Sequence, residues 1–97
     1  MELHFICKHG ENHTRLGDDF YETGNWVVNE GTANESVGGR VYLHEKQDRP
    51  AWHGGTIIEW RICARDPTRK IFKYRVDGPF RVRCREGWGR EKAIVRS

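Results

Sequence analysis

The sequence holds no apolar run near the length of a bilayer span. Its start, Met1-Glu2-Leu3-His4-Phe5-Ile6-Cys7, lacks the basic segment and long apolar stretch of a secretory signal. Both absences point to a cytoplasmic protein with no membrane partner. The only cysteines are Cys7, Cys63 and Cys84. Three thiols cannot all pair within one chain, which argues against a disulfide scaffold. There is no phosphate-binding loop, no dinucleotide fingerprint and no G-x-S-x-G elbow. Internal repeats and low-complexity tracts are absent too.

Aromatic rings and sorted charge are what the sequence does hold. Four Trp, four Phe and three Tyr stand in a chain of 97 residues. A single domain of that length buries roughly 60–65% of the surface its unfolded form exposes, and large rings are the economical way to fill one small core. The net charge of +3 hides an asymmetry. Residues 1–59 carry five Lys or Arg against ten Asp or Glu; residues 60–97 carry twelve against four. A uniformly solvated surface would not divide its charges this way, so a basic face is expected in the second half.

Short strands dominate the pattern. Residues 3–7 read as a first strand, 8–24 as mostly loop broken by Gly10, Gly17 and Gly24, and 26–28 as a short strand. Thr32 with Glu35 three residues on fits one capped helical turn, ended by Gly38-Gly39. In 40–45, Val41 and Leu43 alternate with Tyr42 and His44. A polar loop follows, then Gly54-Gly55 as a bend. Residues 56–64 form the longest apolar strand, with Ile58, Trp60 and Ile62 on one face. Residues 65–68 are a turn, and 93–95 are placed to close the sheet. The expected fold is mostly β: a small single-domain barrel or strongly curved antiparallel sheet, with at most short helices.

Residues 70–76 and 80–84 flank Asp77-Gly78-Pro79 and read as a hairpin. In that register Val76 faces Phe80, Tyr74 faces Val82 and Phe72 faces Cys84, giving one continuous apolar face. The opposite face then sets Arg75 against Arg81 and Lys73 against Arg83. Like charges across a ladder repel. Solvent, a carboxylate such as Glu59 or a bound polyanion must offset them. Lys73, Arg75, Arg81 and Arg83 are therefore the candidate phosphate contacts.

His44, Glu45 and Lys46 end one strand, and Trp52 and His53 precede the next. A loop of that length joining neighbouring strands would bring them to one rim, with Trp26, Trp88, Glu91 and Lys92 as further candidates for it. An indole can stack on a base, worth ~1–3 kcal/mol, while His and Glu read polar edges. The ligand-binding candidates are thus Trp26, His44, Glu45, Lys46, Trp52, His53 and Trp88, against the plainer reading that the tryptophans only fill the core. Trp26, then Gly38-Gly39-Arg40-Val41-Tyr42-Leu43-His44-Glu45, then Gly54-Gly55-Thr56-Ile57-Ile58, resembles in spacing the strand–loop–strand layout of the PUA-like superfamily and its EVE and ASCH branches, over residues 20–95. The resemblance implies a small β-barrel that binds RNA, or DNA with modified bases. It carries no ligand-contacting residue across.

Cys7, His9 and His13 give a C-x-H-x3-H spacing, with His4 nearby and Cys63 or Cys84 available as a fourth ligand. Without a C-x-x-C pair the spacing does not decide whether a metal binds, and no metal or cofactor is assigned. Cys63 and Cys84 fall within expected strands, where packing explains them. His44 with Glu45 or Glu91 is an acid–base pair of a kind any domain with five His offers, so no catalytic residue is assigned. The function expected is a module binding nucleic acid (RNA or DNA) or a nucleotide-like or modified-base ligand. The alternatives are a protein–protein interaction module, such as a small accessory or phage-type inhibitor docking through its charge poles, and a small hydrolase using the His/Glu rim.

Overall fold

The computed structural model of the chain describes residues 1–8, 11–84 and 87–96. Seven strands and one short helix follow one another as β1 (Glu2–Ile6), β2 (His13–Arg15), β3 (Phe20–Val27), α1 (Glu30–Ser36), β4 (Arg40–His44), β5 (His53–Cys63), β6 (Asp66–Arg75) and β7 (Lys92–Val95). They form one sheet in the order β2-β3-β6-β5-β4-β1-β7. All neighbours are antiparallel except β1 and β4, which run parallel with Phe5 beside Leu43. The mostly β, helix-poor domain expected from the pattern is present as an open, curled sheet and not as a closed barrel.

Alternation decides the core. Leu3 and Phe5 of β1, Val41 and Leu43 of β4, and Phe72 and Tyr74 of β6 are fully buried on one face, joined by Ile57, Trp26, Val28 and Ala33 of α1. Phe5 stacks on Trp26 with centroids 4.4 Å apart and planes 4° from parallel. His4, Tyr42 and His44 point to the other face, yet are buried too. β1 and β4 lie inside the sheet, and the chain around Trp88 covers their outer side. At Gly55 an added Cβ would collide with the carbonyl of Arg75, and at Gly54 with that of Val41. Glycine is what lets β5 pass this close to both neighbours.

Several expectations change. Residues 8–24 contain β2 and the start of β3; their outer positions are polar because they lie at the sheet edge, so they show no alternation to read. Asn29, not Thr32, caps α1: its Oδ1 accepts the Thr32 amide at 2.8 Å, while Thr32 itself is buried. β7 ends the sheet beside β1 and does not close it. The hairpin of 70–76 with 80–84 is not formed. β6 is flanked on both sides, by β3 and β5, through much longer ladders, so it has no edge to offer. Asp77 accepts from Arg40, Thr56 and Arg75 and pins the chain there. Residues 79–84 then leave the sheet, meeting the loop after β4 through Ala51 N–H to Val82 O at 2.9 Å.

Candidate ligand cleft

β2 pairs only with residues 21–23 of β3. Beyond them, among the described residues, the outer edge of β3 at Trp26 and Val27 has no strand paired to it and faces β7. The gap is a cleft of about 550 Å³ lined by Trp26, Val27, Gly87, Gly89, Arg90, Glu91, Lys92 and Ile94. Lys92 crosses it, its ammonium donating to the carbonyl of Val27. Arg96 ties the chain after β7 to α1 through Glu35 and Thr32, both at 3.0 Å. Part of the lining is apolar, from Trp26 and Val27 of β3 and Ile94 of β7. The rest offers two cations, one carboxylate and glycine backbone. Sequence reasoning missed Val27, Ile94 and Arg90. The approach of β7 to the far half of β3 joins residues more than sixty positions apart, and no local pattern encodes that.

The predicted rim residues divide between the two faces of the sheet. The ends of β4 and β5 do lie side by side, Leu43 pairing with His53. His44, however, is fully buried on the outer face, with His4 Nδ1 at 2.8 Å and the Arg49 carbonyl at 2.8 Å. Glu45 and Lys46 follow it exposed. Trp52 and His53 turn inward on the opposite side. Trp52 packs against the core and donates to the Cys7 carbonyl at 2.6 Å. Trp26 is 7% exposed, and that remnant borders the cleft. Trp88 is half-buried, edge-on to His44, and borders a second cleft of about 490 Å³ with Gln47, Asp48, Arg83 and Cys84.

His53 belongs to a ring cluster that sequence spacing did not reveal. The hydroxyl of Tyr74 lies 2.6 Å from Nε2 of His13 and 2.6 Å from Nδ1 of His53, with Tyr21 stacked on His13. The hydroxyl donates to one imidazole and accepts from the other. Burial, then the nearby His13, pushes His53 down to about 4. Burial, then Cys7 and Tyr21, pushes the Tyr74 phenol well above its ordinary value. At neutral pH His53 is thus neutral and Tyr74 remains a phenol.

The four cations of the expected strip are not on one sheet face. Lys73 and Arg75 point outward from β6 among carboxylates. Lys73 sits opposite Glu59 and Glu22, with its ammonium 3.6 Å from Glu59, and Arg75 meets Asp77 at 3.1 Å. Arg81 and Arg83 lie on the irregular segment after β6, Arg83 donating to the Asp48 carbonyl at 3.4 Å. None of the three cysteines is in a disulfide, and all three are buried. Cys7 donates to the Glu11 carbonyl at 3.0 Å; burial, then Glu11, pushes its thiol up to about 11. Among the described residues no three His, Cys, Asp or Glu side chains converge as metal ligands. His9, one of the candidate ligands, lies outside the described residues.

Comparison with protein-family models, with curated proteins and with solved structures finds no match to this chain.

Proposed function

We propose that this domain binds a flat, anionic, nucleotide-like ligand, such as a nucleic-acid end, in the cleft between β3 and β7. The observation that carries this reading is the composition of that cleft. Trp26, Val27 and Ile94 give its lining apolar surface and Arg90 and Lys92 give it positive charge, around about 550 Å³. A nucleobase needs an apolar surface to lie on, and its phosphate needs cations and backbone N–H groups. Trp26 offers only part of its ring, because Phe5 occupies one face. The base therefore lies against a composite wall and not on a bare indole. Glu91 in the same lining disfavours a phosphate beside it and sets which end of the cleft the anion takes. Arg81 and Arg83 continue the basic segment away from the cleft, so a strand longer than one nucleotide has cations to follow. The same proposal includes the PUA-like layout, a cytoplasmic setting and the absence of a membrane partner. No helix of the described residues is long and apolar enough to cross a membrane.

The test is a tryptophan-fluorescence titration with mononucleotides and short single-stranded oligonucleotides at two salt concentrations. Binding should weaken with salt, and Arg90→Ala should weaken it further while flattening the salt dependence by about one unit of slope. Binding insensitive to Arg90→Ala, or no binding to any of these probes, overturns the reading.

A further inference from the structure

Behind the outer face of β1 and β4 a row of hydrogen bonds runs from Glu2 through His4 and His44 to the loop after β4. Glu2 Oε1 lies 2.9 Å from His4 Nε2. His4 Nδ1 lies 2.8 Å from His44 Nε2. His44 Nδ1 lies 2.8 Å from the Arg49 carbonyl oxygen. His4 is 1% exposed and His44 fully buried, so neither ring has water to turn to.

Counting protons along the row is decisive. Three hydrogen bonds need three protons. Two neutral imidazoles supply only two, because each carries a single N–H. The carbonyl of Arg49 only accepts, so His44 must donate from Nδ1, leaving Nε2 as an acceptor. His4 must then donate from Nδ1. Its Nε2 faces a carboxylate, and that contact becomes a hydrogen bond when one more proton is placed on His4.

We propose that Glu2, His4 and His44 form a one-proton site that, when occupied, locks the loop after β4 and with it one wall of the cleft. Without the third proton one bond of the row must fail. An ionised Glu2 accepting from His4 Nε2 makes a charge-assisted bond, roughly twice as strong as a neutral one. Both tautomers therefore reverse. His4 donates to Glu2, His44 donates to His4, and the lone pair of His44 Nδ1 is left against the Arg49 carbonyl. The loss falls at the loop. That loop carries Gln47, whose side-chain amide donates to the Gly89 carbonyl at 3.0 Å and the Arg90 carbonyl at 3.4 Å. Asp48 accepts from Arg83. Gly89 and Arg90 line the cleft.

The surroundings hold few competing charges. Tyr42 of β4 stacks on His4 at 5.0 Å, with Arg40 donating to its hydroxyl. Trp88 lies edge-on to both imidazoles, and β7 places Ala93 beside His4. The ionisable groups that act on the proton are thus Glu2, which favours it, and each imidazole, which disfavours charge on the other. Burial, the largest influence, lowers both imidazoles. The locked form is accordingly the acid form, lost as pH rises.

The regulatory meaning rests on the cleft proposed above; the proton site does not. Nitrogen-15 NMR of the two imidazoles without ligand tests the site. On acidification His4 should pass from one protonated ring nitrogen to two. The amides of Gln47, Gly89 and Arg90 should move with the same midpoint. Glu2→Gln supplies the third proton from its own amide, so this variant should keep the locked tautomers without titrating. Imidazoles that never gain the proton, or a Glu2→Gln variant that titrates like the parent, overturn the proton site. A titration that leaves Gln47, Gly89 and Arg90 unmoved overturns the lock. Oligonucleotide titrations of parent and variant across the same pH range report on the cleft separately. Failure of all binding counts against the ligand reading and leaves the proton result standing.

Discussion

The indole N–H of Trp52 donates to the carbonyl of Cys7 at 2.6 Å, joining the entry to β5 to the end of β1 across the core. A tryptophan used this way is a structural tie. Its ring packs against the buried cluster, with His13 edge-on at 5.3 Å and His53 tilted at 5.6 Å. Trp52→Ala removes both packing and the bond to a carbonyl. The expected loss is about 3 kcal/mol of stability, typical of truncating a large ring in a core. Thermal melting and ligand titration on one sample check this. Binding per folded molecule should stay at the parent value, and a stable mutant that binds weakly would return Trp52 to the ligand site.

Burial of His53, with His13 beside it, makes acid a destabilising condition. His53 is pushed down to about 4 from an ordinary value near 6.5. Between those values the unfolded chain binds a proton that the folded chain does not. Stability from this group is therefore full above about pH 6.5 and declines as pH falls toward 4. Tyr74→Phe keeps the ring in its place but removes the hydroxyl shared by the two imidazoles. It should cost about 1–3 kcal/mol at neutral pH, the range for leaving buried polar groups without a partner. The acid sensitivity, set by burial and His13, should remain in the mutant. Urea melts of parent and mutant at pH 7 and pH 5 give both quantities; equal stability at pH 7 would show that the hydroxyl contributes nothing.

Lys73 and Arg75 should matter little to an anionic ligand. Each already meets a carboxylate on or beside the sheet, Glu59 and Asp77 respectively. Exposed pairs of this kind contribute about 0–1 kcal/mol. Lys73→Ala should therefore change stability by less than about 1 kcal/mol and leave oligonucleotide binding unaltered, in contrast to Arg90→Ala. Loss of binding in Lys73→Ala comparable to that in Arg90→Ala would move the interface from the cleft to the sheet face.

Some of this protein could be read from residues alone, because some of its physics is local. Val41 and Leu43 alternate with Tyr42 and His44, and that period of two specifies β4 without knowledge of any partner. The apolar length of 56–64 marks most of β5. Aromatic content and the lack of helical periodicity settle a small, mostly β domain. The polar edge strand β2 shows no such signal.

Tertiary structure alone decided the pairings and every cluster built on them. Residues 70–76 and 80–84 match each other locally, yet β6 pairs with β3 and β5, because two long ladders gain more than one short hairpin. His4 and His44 are forty positions apart and meet only because β1 and β4 run parallel with His4 beside Tyr42. The Lys92 contact to Val27 exists because the sheet curls until its far strand approaches β3. Alternation records which face a residue takes. It does not record which strand lies beside it, since any strand with the same period is an equally good local match. That choice is made by the summed burial and hydrogen bonding of the whole sheet, and in this molecule it is where the cleft and the histidine row originate.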